Sequence, residues 1–182
     1  MKQSSHDKIR LYFTLLVAFM VWCLLIWQHF NGGVPKHYIL HRADMPAISN
    51  WWGGILLPVL SWILVGQVVR RGSGKVRSSA ICAFCCALLY GIVLSASFIY
   101  QFEPLTSLMA PALLFLALFF PIYRGEYVLG FILGMSYTFG AVLPTAFAIV
   151  VGLLSAAIYH FIRPIPFWLW RKLRQPEPGQ DG

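Results

Sequence analysis

Long charge-free stretches alternate along this chain with short clusters that hold nearly all of its charges. Five windows contain no Asp, Glu, Lys or Arg: residues 11–35, 45–69, 78–102, 104–123 and 127–162. A helix that crosses a hydrocarbon core about 30 Å thick needs about 20 apolar residues, so each of the first four windows predicts one transmembrane helix. The fifth would form a helix of roughly 54 Å at about 1.5 Å per residue, longer than any bilayer requires. Pro144 lies in its middle. Proline removes a backbone donor and drives the preceding residue out of the helical region. The window therefore predicts two helices joined by a tight turn at Pro144.

The pattern as a whole predicts an all-α polytopic membrane protein of six hydrophobic helices. They cover residues 11–30, 51–69, 79–100, 105–123, 127–143 and 145–162. Because the connections around residues 101–104 and 124–126 are short, neighbours should run antiparallel, which gives three successive hairpins. A re-entrant hairpin over residues 127–162 is the alternative. It would leave backbone groups inside the bilayer facing protein or a cavity.

Charge supplies the orientation. Lys and Arg gather on the cytoplasmic side of membrane proteins. Lys2, Lys8 and Arg10 precede the first window, Arg70, Arg71, Lys75 and Arg77 follow the second, Arg124 follows the fourth, and Arg163, Arg171, Lys172 and Arg174 follow the fifth. Six spans place all of these on one side and leave only Lys36 and Arg42 on the other. Five spans would put the last group on the wrong face. Both termini are therefore expected in the cytoplasm, in the manner of a bacterial inner-membrane protein. The first window has a basic start but no small-x-small cleavage site after it, and reads as a retained anchor.

Composition agrees. Of 182 residues, 59% are hydrophobic and only 11% charged, against roughly 25% in a soluble domain; mean hydropathy is +0.71. The net charge of +8 is explained by the cytoplasmic rim, and nucleic acid is not an expected partner. Residues 1–10 form a cytoplasmic tail and residues 11–163 one transmembrane domain. Residues 164–174 read as an amphipathic segment lying on the inner interface, facing anionic lipid. Residues 175–182, rich in Pro and Gly, read as a disordered tail. Trp51 and Trp52 at the outer surface, and Trp168 and Trp170 at the inner one, are expected interface anchors.

Several groups of residues are candidates for chemistry. His37 and His41 stand i, i+4, so a helical turn would bring them to one face, and Asp44 is close enough to join them. Imidazole and carboxylate suit Zn²⁺, Cu²⁺, Ni²⁺ or Fe²⁺, although a solvated loop explains the same residues. Cys82, Cys85 and Cys86 share a helix face, where cysteine ordinarily behaves as a small hydrophobe. A haem bridging His29 and His160 is opposed by their positions at opposite ends of the bundle. Gly130, Gly134 and Gly140 mark a helix-packing face. Ser136, Tyr137 and Thr138, with Pro144 and Thr145, form the most polar stretch of any span and a possible broken-helix site. Arg124 and Glu126 read as a mutual pair within one turn.

The carboxylates inform by position: none falls at the middle of a span, where proton-coupled pumps normally carry them. Three functional classes remain. The first is an accessory or structural membrane protein acting through helix contacts, as a homo-oligomer or within a larger complex. The second is a small oligomeric transporter or channel using residues 136–145. The third is a membrane enzyme or metal/redox subunit centred on His37, His41 and Asp44. No nucleophile–base pair or phosphate-binding loop supports an enzyme, and no cofactor is implied.

Overall fold

The computed structural model describes residues 3–38, 47–73, 75–162 and 164. Six α-helices account for most of them: α1 (Gln3–Phe30), α2 (Gly53–Arg71), α3 (Ser78–Ile99), α4 (Glu103–Phe119), α5 (Gly125–Phe139) and α6 (Val142–Ala157). A single 3₁₀ turn, Asn50–Trp52, leads into α2, and α6 runs on into a π-turn, Ile158–Ile162. Residues 3–10, read from sequence as a separate tail, continue α1 as its first two turns.

Among the described residues, four helical segments are long and apolar enough to cross a membrane: Asp7–Phe30, Asn50–Arg71, Ser78–Ile99 and Val142–Ile162. The other two are shorter than the sequence windows. α4 stops at Phe119 because Pro121 forces the residue before it into an extended conformation, and Phe120 sits at φ −119°, ψ 142°. α5 stops at Phe139 because Gly140 adopts φ 70°, ψ −175°, a backbone that side-chain-bearing residues rarely take. The break in the fifth window thus lies at Gly140, not at the expected Pro144. Pro144 occupies the first turn of α6, where its missing donor would have had no helical partner anyway.

Among the described residues, the connection between α1 and α2 holds the departure from an all-helical chain. Lys36–Tyr38 (β1) pairs antiparallel with Ala47–Ser49 (β2), with Lys36 opposite Ser49, His37 opposite Ile48 and Tyr38 opposite Ala47. The Asn50 N–H donates to the Pro35 carbonyl at 3.1 Å and closes the ribbon. The Ser49 hydroxyl then accepts from the Trp51 N–H and caps the 3₁₀ turn.

Helix packing does not follow the expected set of three hairpins. α1 and α2 do form one: Gly54 lies against Leu25 and Trp22 near one end, and Gly66 lies against Arg10 toward the other. There the Arg10 Nε–H donates to the Trp62 carbonyl at 2.6 Å, and the guanidinium sits 3.8 Å from the centre of the Trp62 ring. The most extensive contact in the bundle, however, is between α3 and α5. These two run parallel: Gly130 faces Phe84 and Leu88, while Gly134 faces Leu88 and Gly91. A Cβ on Gly91 would approach the Phe131 carbonyl oxygen to 2.7 Å and the Gly134 Cα to 3.2 Å. Small residues permit such backbone proximity.

α5 is consequently the central helix. Leu129, Phe131, Ile132 and Met135 are buried, with α2, α3 and α6 packed around them. At about 1.5 Å per residue its 15 residues extend roughly 22 Å. A helix enclosed by other helices has its end groups covered by protein, so it can be shorter than those facing lipid. The turn after α5 stands level with the ends of α2 and α3: Ala141 meets Gly53, and the Phe139 ring lies 4.8 Å from that of Phe98. α5 therefore reaches the end of the bundle rather than stopping half-way.

Candidate functional site

Four helices enclose a cavity of about 380 Å³. α3 supplies Ser79, Cys82, Ala83, Cys86, Ala87 and Tyr90, which recur every three or four residues and so form one helix face. Leu113, Leu116 and Phe120 come from α4 and the residue after it, and Tyr127, Val128 and Phe131 from α5. Ala148, Val151 and Gly152 line it from α6, with Ile122 below. The glycine zipper explains the cleft. It draws α3 onto α5 and leaves α4 standing off, joined to α3 by the hydrogen bond from the Tyr90 hydroxyl to the Met109 carbonyl at 2.5 Å.

The cleft starts at the end of the bundle where α3 and α5 begin and rises along α3 from Ser79 to Tyr90. That run corresponds to a depth of about 16 Å at 1.5 Å per residue. Ser79, Cys82, Cys86 and Phe120 are exposed, so the cleft is open and not a sealed void. Its walls are almost wholly apolar, and its deepest hydroxyl, on Tyr90, is already engaged. Arg77 is the residue before α3 and Arg124 the residue before α5, so both stand at the end of the bundle where the cleft starts. Arg124 does not pair with Glu126 as the sequence suggested. Glu126 reaches across to Arg71 instead, at 3.7 Å.

The other sequence candidates are not gathered into one site. His37 lies in β1, an extended segment, so the helical turn that was to align it with His41 does not begin there. His41 and Asp44 lie outside the described residues, and among the described residues no group of three His, Cys, Asp or Glu side chains is placed to hold a metal. His29 packs on Trp51 at one end of the bundle and His160 on Tyr123 at the other. Gly130 and Gly134 of α5 pack against α3, whereas Gly140 terminates α5.

In the polar stretch, the Ser136 hydroxyl donates to the Ile132 carbonyl at 2.5 Å and that of Thr145 to Ala141 at 2.7 Å. Both are satisfied within the local backbone. Tyr137 is exposed, Thr138 half-buried, and Pro144 fully buried. Trp51 and Trp52 are exposed at the start of the second segment. Trp168 and Trp170, with the whole stretch read as interfacial and the tail after it, lie outside the described residues.

Sequence reasoning missed the cleft because no motif carries it. The available signal was the recurrence of small residues at Cys82, Ala83, Cys86 and Ala87, the positions at which a helix leaves room beside itself. Comparison with protein families, with curated proteins and with solved structures finds no match for this chain.

Proposed function

We propose that this chain is a six-span protein of the bacterial cytoplasmic membrane, with both termini in the cytoplasm, that serves as an accessory component of a larger membrane assembly. The supporting observation is where its polar groups lie. The buried polar side chains among the described residues are Gln28, Asn50, Ser61, Ser95, Ser97, Thr145 and Ser155, two amides and five hydroxyls. None is ionisable, and the cleft between α3, α4, α5 and α6 is apolar. Such an interior is suited to contact with hydrophobic matter rather than to moving protons or ions.

The surface adds to this. The glycine face of α5 is used inside the chain, so it is not the surface that meets a partner. α1, which packs chiefly on α2, keeps Leu11, Leu15, Phe19 and Ile26 outward. These give a second helix a continuous apolar stripe.

The reading as a small oligomeric transporter draws on the helix break at Gly140. It is the weaker of the two, because the hydroxyls of Ser136 and Thr145 beside that break are bonded to their own helices. Isolation from native membranes in mild detergent tests the choice. One stoichiometric partner that is lost when Leu15 and Phe19 become Ala supports the accessory reading. Purification as a bare homo-oligomer that conducts ions in vesicles removes it.

A further inference from the structure

The cleft has a depth, a lining and a rim of charge that together describe one kind of occupant. Its rise of about 16 Å is about half of a hydrocarbon core of roughly 30 Å, which is the reach of a single acyl chain in one leaflet. Its walls offer aliphatic and aromatic carbon, with Cys86 and Gly152 among the residues that line them. Gly152 has no atom within 4 Å of where a Cβ would sit. Arg77, just before α3, is exposed and Arg124, just before α5, half-buried, and the carboxylate of Glu126 is held by Arg71. An apolar slot one leaflet deep, starting at the first turns of two helices that are each preceded by an arginine, complements a molecule with a hydrocarbon tail and an anionic head.

We propose that the cleft between α3, α4, α5 and α6 is a binding site for an anionic phospholipid, with one acyl chain between Cys86 and Gly152 and the headgroup between Arg77 and Arg124. The proposal rests on the membrane reading above but not on the existence of a protein partner. Bound lipid fills the space that α4 leaves beside the α3–α5 pair, so the complete bundle includes it. A basic residue close to a membrane surface favours anionic over zwitterionic lipid, and two such residues give a preference of about tenfold or more.

The test is lipid retention by the full-length protein in detergent, read by native mass spectrometry after adding phosphatidylglycerol or phosphatidylcholine with the same acyl chains. The wild type is expected to keep one phosphatidylglycerol, about tenfold in preference to phosphatidylcholine. Gly152→Phe and, from the opposite wall, Cys86→Phe are expected to abolish retention of both lipids while eluting as folded protein. Having two variants guards against one failing to fold. The double variant Arg77→Gln/Arg124→Gln should keep a lipid and lose the preference. Retention unchanged in both filled variants, or equal retention of the two lipids by the wild type, overturns the site. So does a wild-type dimer that Gly152→Phe converts to monomer, since a second copy would then be the occupant. Failure of the partner isolation leaves these readouts unaffected, so the two readings fail separately.

Discussion

Four glycines of this chain fill three different roles, and only the packing role of Gly130 and Gly134 was legible from spacing. Gly130 and Gly134 were recognisable as a small-residue face, but nothing in the sequence named α3 as its partner, because that choice depends on Ala87 and Gly91 arriving at matching heights. A Cβ on Gly134 falls on the Leu88 carbonyl oxygen and within 3.1 Å of the Gly91 Cα. Backbone cannot swing aside as a side chain does. Gly134→Val is therefore expected to cost about 3 kcal/mol through forced helix separation, read as a large loss of thermal stability in detergent. Gly152→Ala, which meets open space, should stay within about 0.5 kcal/mol of the wild type. Gly140 belonged to the same small-residue pattern yet is a hinge. Its φ of 70° with ψ of −175° makes Gly140→Ala expensive by about 1–3 kcal/mol even though no packing is lost. Equal stability of Gly140→Ala and wild type in the same assay would show that the turn relaxes to another conformation.

At the scale of the helices, charge-free windows located all six but not their ends, which were decided by residues whose influence is local. Pro121 shortened α4 through Phe120, and Gly140 shortened α5 before Pro144 had any effect. The β1–β2 ribbon was invisible because its strands are three residues each, too short for alternation to register. Pairing was the least legible property, since short connections imply antiparallel neighbours without saying which contact dominates. α4 shows the consequence. Pro111 stands inside it and removes one of its backbone hydrogen bonds, and Tyr90 supplies the tie to α3. Tyr90→Phe deletes that tie while preserving the ring. The expected loss is about 1 kcal/mol, accompanied by faster hydrogen exchange in α4 and little change in α3 or α5. Uniform acceleration across all helices would mean that α4 is not a separately opening element.

At the scale of the whole molecule, three of the cations that the six-span count assigns to one side lie toward one end of the bundle. Arg10, Arg71 and Arg124 were assigned to one side of a membrane by counting spans. In the bundle, Arg10 lies by Gly66, Arg71 reaches Glu126, and Tyr123, next to Arg124, stacks with Tyr159 and His160. The start of α1 and the end of α6 therefore share one end of the bundle. Pro144, where the sequence placed the turn between the last two spans, is fully buried, so a probe there would report burial rather than side. Ser73, in the turn between α2 and α3, and Gln101, between α3 and α4, are exposed and serve better. With Cys23, Cys82, Cys85 and Cys86 replaced, Ser73→Cys in intact cells should resist a membrane-impermeant maleimide and react only after lysis. Gln101→Cys should react in intact cells. A fluorescent protein fused after Gly182 should fold and fluoresce, as it does only in the cytoplasm. The fusion carries the most weight, because α5 is short and central. Were α5 and α6 together to cross only once, both cysteine results would stand, but the fusion would be dark and the rim of Arg163, Arg171, Lys172 and Arg174 would face outward, against the electrostatic preference that orients the other eight cations.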